Sequence, residues 1–290
     1  MRPCTRRFAA AIAALSISAT ASAAQDGFVV PAWAYPGNQP PAAAAAPSAD
    51  PTLLHVPNSH ATFTHAQVKD LFAPPDWHPD SHPPMPEIVA HGRKPAVYAC
   101  GYCHLPDGQG RPENAALAGL PAAYIVAQVA DFRSGERRSA LLGPHVPTDL
   151  MRATAENATD EEIAAAAEYF SGLRMSRRVE VIESTVVPKT RELGWLYVPI
   201  GSIARGRNLA EDGNGVVTVA CVSCHGPDLR GAGLVPALAG RSPSYIVRQL
   251  LTFKTGARAT PASQPMRPVV ARLEVEDMIA VAAFAAAKEP

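Results

Sequence analysis

The stretch Cys100–Gly110 reads CGYCHLPDGQG, and Cys221–Gly231 reads CVSCHGPDLRG. Each opens with two cysteines three residues apart and a histidine directly after the second. Three chemistries use cysteines at this spacing: a redox dithiol, a zinc clasp and covalent attachment of haem. The surrounding sequence has to choose among them.

Working outward, the two stretches are parts of one repeat. From Cys100 the chain runs CGYCHLPDGQGRPENAALAGLPAAYIVAQVADFRSGER, and from Cys221 CVSCHGPDLRGAGLVPALAGRSPSYIVRQLLTFKTGAR, which align without a gap at an offset of 121. The match includes Pro106 with Pro227, Asp107 with Asp228, Gly119 with Gly240, and Tyr124-Ile125-Val126 with Tyr245-Ile246-Val247. Further on, LMRATAENATDEEIAAAAEYF matches PMRPVVARLEVEDMIAVAAFA at an offset of 115, pairing Met151-Arg152 with Met266-Arg267. The difference of six residues is the run LLGPHV, Leu141–Val146, present in the first copy alone. The chain is a tandem duplication.

The amino terminus, MRPCTRRFAAAIAALSISATASA, has arginines at 2, 6 and 7, an apolar run from Phe8 to about Ala19, and Ala21-Ser22-Ala23 as a cleavage site; it reads as a secretory signal peptide. The apolar run falls short of the roughly 18 residues a membrane span needs. Export to the periplasm is therefore expected. Cleavage removes Cys4, and the remaining four of five cysteines all lie in the two C-x-x-C-H motifs. It also removes three of the 26 basic residues and none of the 26 acidic ones, leaving a net charge of −3. No basic excess exists to neutralise phosphates, which excludes a nucleic-acid partner.

Helix signals recur at matching places in both copies. Ser242 before Pro243 caps a helix with Tyr245, Gln249, Leu250 and Phe253 at helical spacing, stopped by Gly256. Pro121–Phe132 is its counterpart. Thr159 with Glu162 forms a capping box ahead of Ile163, Ala166, Ala167 and Phe170, and the partner helix starts near Glu274. Glycine-containing helical stretches precede each motif, Glu87–Arg93 and Ser202–Glu211. Only VEVIESTVV, Val179–Val187, has the composition of a short strand.

Each copy is thus helix, C-x-x-C-H, loop, helix, methionine loop, helix. A unit of about 85–90 residues has little core of its own, and a large apolar insert helps it fold. On a helical turn, cysteines at i and i+3 and a histidine at i+4 face one side. A redox dithiol expects a βαβ context that is absent, and zinc leaves the histidines and methionines unused, so the motifs predict two covalently attached haem c groups anchored by Cys100, Cys103, Cys221 and Cys224. With His104 or His225 on one side of the iron, a thioether opposite raises the reduction potential. Met151 and Met266 are the candidates, because they occupy the same place in both repeats, in a loop just ahead of the last helix. Met85, Met175 and Met278 lack matched methionines and read as packing or surface residues. His145, in the six-residue insertion, offers a histidine as an alternative sixth ligand of the first haem.

The order Cys100-x-x-Cys103-His104, Tyr124–Phe132, Met151 and DEEIAAAAEYF, repeated with Cys221-x-x-Cys224-His225, Tyr245–Phe253, Met266 and EDMIAVAAF, resembles the class I dihaem cytochromes c of the cytochrome c4-like type over residues 84–290. The resemblance implies an all-α fold of two tandem class I cytochrome c domains. It implies four thioether anchors at the cysteines, proximal ligands at His104 and His225 and distal ligands at Met151 and Met266. It also implies single-electron transfer between redox partner proteins: a quinol-oxidising complex, a dehydrogenase or a terminal oxidase.

The expected organisation is a signal peptide (1–23), a Pro/Ala/His-rich extended arm (24–83), a first cytochrome domain (84–172), a linker (173–200) and a second domain (201–290). The arm has few apolar anchors and is expected to wrap on the domains or dock on a partner. Six of the nine histidines, His55, His60, His65, His78, His82 and His91, lie in or just after it at irregular spacing, and read as surface residues rather than a second metal site. Arg174, Arg177 and Arg178 in the linker read as a solvated face. The expected function is a periplasmic electron carrier, peripherally associated with membrane complexes at most. The alternative is a cytochrome subunit held by a dehydrogenase through the arm. An enzyme of the dihaem peroxidase type needs an open coordination position, which two filled axial positions disfavour.

Overall fold

The computed structural model describes residues 28–35, 51–186 and 194–290. The signal peptide and the alanine-rich part of the arm lie outside these residues. The arm enters with a single 3-10 turn, Ala32–Ala34, and continues through β1 (Leu53–Leu54) and β2 (Phe63–Thr64), which pair antiparallel. Helix α1 (His65–Val68) follows at once, opened by a capping box between Thr64 and Gln67.

The first repeat comprises α2 (Glu87–Ala90), α3 (Cys100–His104), α4 (Ala122–Arg133), α5 (Val146–Asn157) and α6 (Asp160–Ser171). The linker holds β3 (Glu180–Glu183) and β4 (Trp195–Val198), a two-stranded parallel ribbon with Glu180 opposite Trp195. The strand expected in Val179–Val187 is there, with an unforeseen partner. The second repeat comprises α7 (Ser202–Asp212), α8 (Val222–His225), α9 (Pro243–Lys254), α10 (Met266–Val270) and α11 (Val275–Ala287). Five helices therefore answer five helices. No helix among the described residues is long and apolar enough to cross a membrane.

Each repeat has its own apolar cluster. In the first, Val89, Val97, Ala118, Ile125, Ala167 and Phe170 pack together; in the second, Leu209, Leu229, Leu251, Leu273, Met278 and Phe284 do. Phe170, Leu251 and Leu273 are almost completely buried, and burying such a side chain contributes roughly 1.5–3 kcal/mol. Met278 is a core residue, the first of the two roles, packing or surface, that its unmatched place left open.

Three expectations need correcting. The arm has real apolar anchors: Ala34 and Tyr35 are 1% and 6% exposed and sit in the second repeat's core, while Leu71 and Phe72 bind the first repeat. His82 is not a surface histidine; its side chain is buried between Asp76, at 3.2 Å, and the Tyr169 hydroxyl, at 3.1 Å. Met151 does not lie in a loop but within α5. The inserted LLGPHV explains this. It carries His145, whose backbone N–H donates to the Asp149 carboxylate at 2.9 Å, and with Pro147 in the first turn it starts a helix at Val146, five residues ahead of the methionine. The second repeat lacks the insertion, and Met266 is the first residue of α10.

Candidate haem-binding site

In each repeat a one-turn helix presents the two cysteines and delivers the histidine at its carboxyl end, on α3 and α8. A loop then doubles back on the histidine. Gly110 N–H donates to the His104 carbonyl and Gly231 N–H to that of His225, both at 2.8 Å. Both glycines have φ near +72° and +86°, and a Cβ at Gly110 would press on the Ala115 carbonyl. The returning loop places a backbone carbonyl on each imidazole: His104 Nδ1–H donates to Ala115 at 2.8 Å, and His225 Nδ1–H to Pro236 at 2.8 Å. That bond fixes the tautomer and frees Nε2 as a lone-pair donor. Burial holds both imidazoles below their usual pKa and hence neutral, the state a metal ligand requires.

None of Cys100, Cys103, Cys221 and Cys224 is joined in a disulfide. Burial pushes Cys100 up to about 12, and Cys103 and Cys221 up to about 11. A redox dithiol has its thiolate stabilised instead. Nor do three His, Cys, Asp or Glu side chains converge as a metal cluster anywhere among the described residues, which leaves zinc without a ligand set.

One cavity of about 590 Å³ runs through both repeats. Cys100, Cys103, His104 and Met151 line it on one side, Cys221, Cys224, His225 and Met266 on the other. All eight residues singled out from the sequence are thus brought to one space. His145 lines it too, with Nδ1 2.7 Å from the Thr148 hydroxyl and its ring edge-on to Tyr35 at 5.1 Å.

Between the two halves lies a polar cluster that the sequence reading passed over. Arg137 donates to Gln128 at 2.8 Å in its own repeat, and to Tyr245 and Gln249 at 2.7 and 2.9 Å in the other. Arg258 does the reverse, donating to Gln249 at 3.0 Å in its own repeat and to Gln128 and Tyr124 across the interface. Each guanidinium stacks on its own repeat's phenylalanine, Phe132 at 4.6 Å and Phe253 at 4.7 Å. All four pairs are separated by 121 residues, so the repeats meet about a pseudo-twofold axis in a self-complementary contact. The signal was present in the aligned repeats, in the paired Gln128/Gln249 and Arg137/Arg258. What it lacked was any hint that the matched faces touch each other.

Four buried arginines line the cavity, Arg137, Arg241, Arg248 and Arg258. Among the described residues none pairs with a carboxylate, and the Nε atoms of Arg241 and Arg258 have no hydrogen-bond partner. Burying a cation without a countercharge costs several kcal/mol. A haem, with two carboxylates, two vinyl groups and an iron, answers the arginines, the paired cysteines and the free Nε2 atoms together, so the residues fit the group. The linker arginines play another part: Arg178 pairs with Asp107, and Arg177 with Glu289 at 3.2 Å.

Comparison with known proteins agrees with this construction. Residues 210–286 match the family described as cytochrome c. Cytochrome c4 of Azotobacter vinelandii is 30% identical over 189 residues, 64% of this chain and 82% of that protein. The thiosulfate dehydrogenase electron acceptor of Thiomonas intermedia (strain K12) is 30% identical over 198 residues, 67% of this chain and 80% of that protein. Among solved structures, thiosulfate dehydrogenase (TsdBA) of Marichromatium purpuratum superposes with a TM-score of 0.53 at 34% identity, covering 66% of this chain but only 37% of that one.

Proposed function

This chain belongs to the cytochrome c4 family of dihaem c-type cytochromes, and from that starting point we propose which residues hold its two haems and whom it serves. It carries two covalently bound haem c groups and acts as an electron carrier rather than an enzyme, exchanging electrons with redox partner proteins. Cys100 and Cys103 anchor the first haem and Cys221 and Cys224 the second; His104 and His225 are proximal ligands, Met151 and Met266 distal ones. The observation that carries this is the pair of 2.8 Å bonds from His104 to Ala115 and from His225 to Pro236, each beside its cysteine pair on one shared cavity. Met151 is favoured over His145 because it matches Met266 in the repeat.

When bound, each haem supplies a one-electron ferric–ferrous couple. The chain's own residues prepare for it. Ala115 and Pro236 hold the imidazole rings in one tautomer and orientation, so no proton need move when the iron changes charge. The apolar lining, Leu117, Ile125, Ala155 and Ile163 in the first repeat and Leu238, Ile246, Val269 and Leu273 in the second, excludes water. Arg137 and Arg258 offset negative charge between the halves.

The protein is placed in the periplasm by its signal peptide, with the domains bounded at 84–172 and 201–290. Its donor is proposed to be a periplasmic dehydrogenase, and its acceptor a terminal oxidase or another respiratory complex. A second reading, a cytochrome subunit held by such a dehydrogenase, is supported by the likeness to TsdBA over 66% of this chain; copurification from the native host distinguishes it from a free carrier. Mass spectrometry of the mature protein should give the polypeptide plus two haems with no alkylatable thiol; a bare polypeptide with four reactive thiols rejects the assignment. Met266→Ala should remove the sulfur-to-iron absorption band of one haem and lower that haem's potential. An unchanged spectrum rejects Met266 as a ligand.

A further inference from the structure

The pseudo-twofold arrangement is broken at two buried arginines facing the cavity, Arg248, which answers Ala127, and Arg241. Arg241, 6% exposed, belongs to the second repeat, yet its guanidinium reaches into the first. Nη1 donates to the Ala116 carbonyl at 2.6 Å and Nη2 to the Ala118 carbonyl at 3.0 Å. These carbonyls belong to the loop whose preceding residue, Ala115, accepts the Nδ1 proton of His104. The equivalent loop of the second repeat, with Pro236 on His225, carries Ala237 and Ala239 at the matching places, and no guanidinium bonds them among the described residues. The reason is in the sequence: the residue answering Arg241 in the first repeat is Leu120, which is buried in that repeat's own apolar cluster.

We propose that Arg241 is a cross-domain positioning residue for the first haem: carried by the second domain, it pins the loop that orients His104, and its buried charge raises the first haem's reduction potential relative to the second's. This rests on His104 being the first haem's ligand. A cation held in a low-dielectric interior disfavours the extra positive charge of ferric iron and so stabilises the reduced form. Burial lowers Arg241 only to about 10, so it is cationic throughout the neutral range. Losing the clamp would also loosen the loop. However, Ala115 is not among the acceptors of Arg241, so the His104 bond survives its removal and the lost charge dominates. The exchange of leucine for arginine at this position thereby helps to make the two redox centres of the duplication inequivalent.

The test uses the full-length dihaem protein with Arg241→Leu, which gives both repeats the same residue, and Arg241→Lys, which keeps the charge. Redox titration is followed by the hyperfine-shifted haem-methyl resonances, assigned to each haem through contacts with its thioether-linked cysteines. In R241L the equilibrium between the haems should shift about tenfold toward reduction of the second, ~59 mV for a one-electron couple, with the first potential falling and the second fixed. R241K should stay within about threefold of the parent by the same relation. The His104 ring resonances should move in R241L while those of His225 do not. Should R241L fail to assemble, Arg241→Gln, which keeps an N–H donor without charge, must show the same direction. Unmoved potentials, equal movement of both, or a fall confined to the second haem would each overturn the proposal. Absence of hyperfine-shifted His104 ring protons in the parent would overturn the ligand assignment and this proposal with it.

Discussion

The two domains close over their cavity with different material. In the second, α7 is a full helix that crosses α11 at Gly206, where a Cβ would fall inside the Ala280 carbonyl and against the Phe284 side chain. In the first, the answering helix α2 has four residues, and the arm fills the vacant place. Phe72 accepts the Gly92 N–H at 2.8 Å and Leu71 the Ala99 N–H at 3.0 Å, while the Phe72 ring leans on Tyr98 at 5.0 Å. Tyr169 on α6 ties the arm down through His82, while its hydroxyl donates to the Pro106 carbonyl of its own domain. The cysteines, histidines and methionines facing the cofactor recur in both domains; what merely backs them has been rebuilt. Selection on the cavity fixes side chains, whereas the outer layer needs only apolar area and satisfied backbone groups.

The sharpest way to break this comparison is Gly206→Val. It should separate α7 from α11 at a cost above roughly 4 kcal/mol, in the range reserved for backbone and overpacking clashes. Calorimetry should show loss of the second domain's transition with the first retained. Phe72→Ala is the mirror experiment, expected to cost the first domain alone about 1–3 kcal/mol. If either variant moved a single common transition, the domains would form one cooperative unit and the contrast would dissolve.

The next effect in size tests the part that is alike. Each of Gln128 Oε1 and Gln249 Oε1 accepts from both Arg137 and Arg258. Removing one arginine leaves each oxygen one donor; removing both orphans two buried acceptors. Arg137→Ala and Arg258→Ala should therefore cost similar amounts, about 1 kcal/mol each, and the double variant more than their sum, about 3 kcal/mol or above. Chemical denaturation in a double-mutant cycle measures it. Strict additivity, or costs that differ widely between the two, would show that the pseudo-twofold contact is not a shared network.

This cluster also marks where sequence reading stops. The C-x-x-C-H spacing, the capping boxes and the offsets of 121 and 115 made the helices, the cofactor and all eight cavity residues legible, because each rests on local periodicity or on a ligand set with few chemical uses. Arg241 and Arg248 were illegible for the opposite reason. Their partners are backbone carbonyls: Ala116 and Ala118 for one, Ala34 and Pro112 for the other. A carbonyl has no residue identity for a pattern to register. The anchoring of Tyr35 in the second domain's core was equally hidden, since one aromatic residue in a Pro- and Ala-rich segment carries no period. The helical place of Met151 followed from an insertion whose folding depends on the Asp149 cap rather than on hydrophobic spacing.

The smallest effect concerns how the last helix of each domain is held at its start. In the first domain Arg93 grips Glu162 with two bonds, at 2.9 and 3.1 Å, and Glu162 also closes the capping box with Thr159. In the second, Arg205 holds Asp277 at 2.8 Å, and Asp277 closes the box with Glu274. The roles match, but Asp277 is buried and Glu162 is a quarter exposed, at 23% of its side chain. The hydrogen bond from Arg93 holds the Glu162 carboxyl below the ordinary glutamate value of 4.5. A carboxyl so depressed adds stability above its unfolded pKa and loses it as pH falls through the lower folded value. Glu162→Gln should thus weaken the first domain at pH 7 by no more than about 1 kcal/mol once solvent screening is allowed for, and the gap from the parent should close on acidification below pH 4.5. Asp277→Asn, which unpairs a buried cap, should cost the second domain more at neutral pH. Thermal melts of both variants across pH 3–7 decide it (range set by the ordinary carboxylate titration, about pH 4): a Glu162→Gln deficit that persisted in acid would trace to the capping geometry alone, and a larger loss in the first domain than in the second would reverse the order in which burial ranks the two caps.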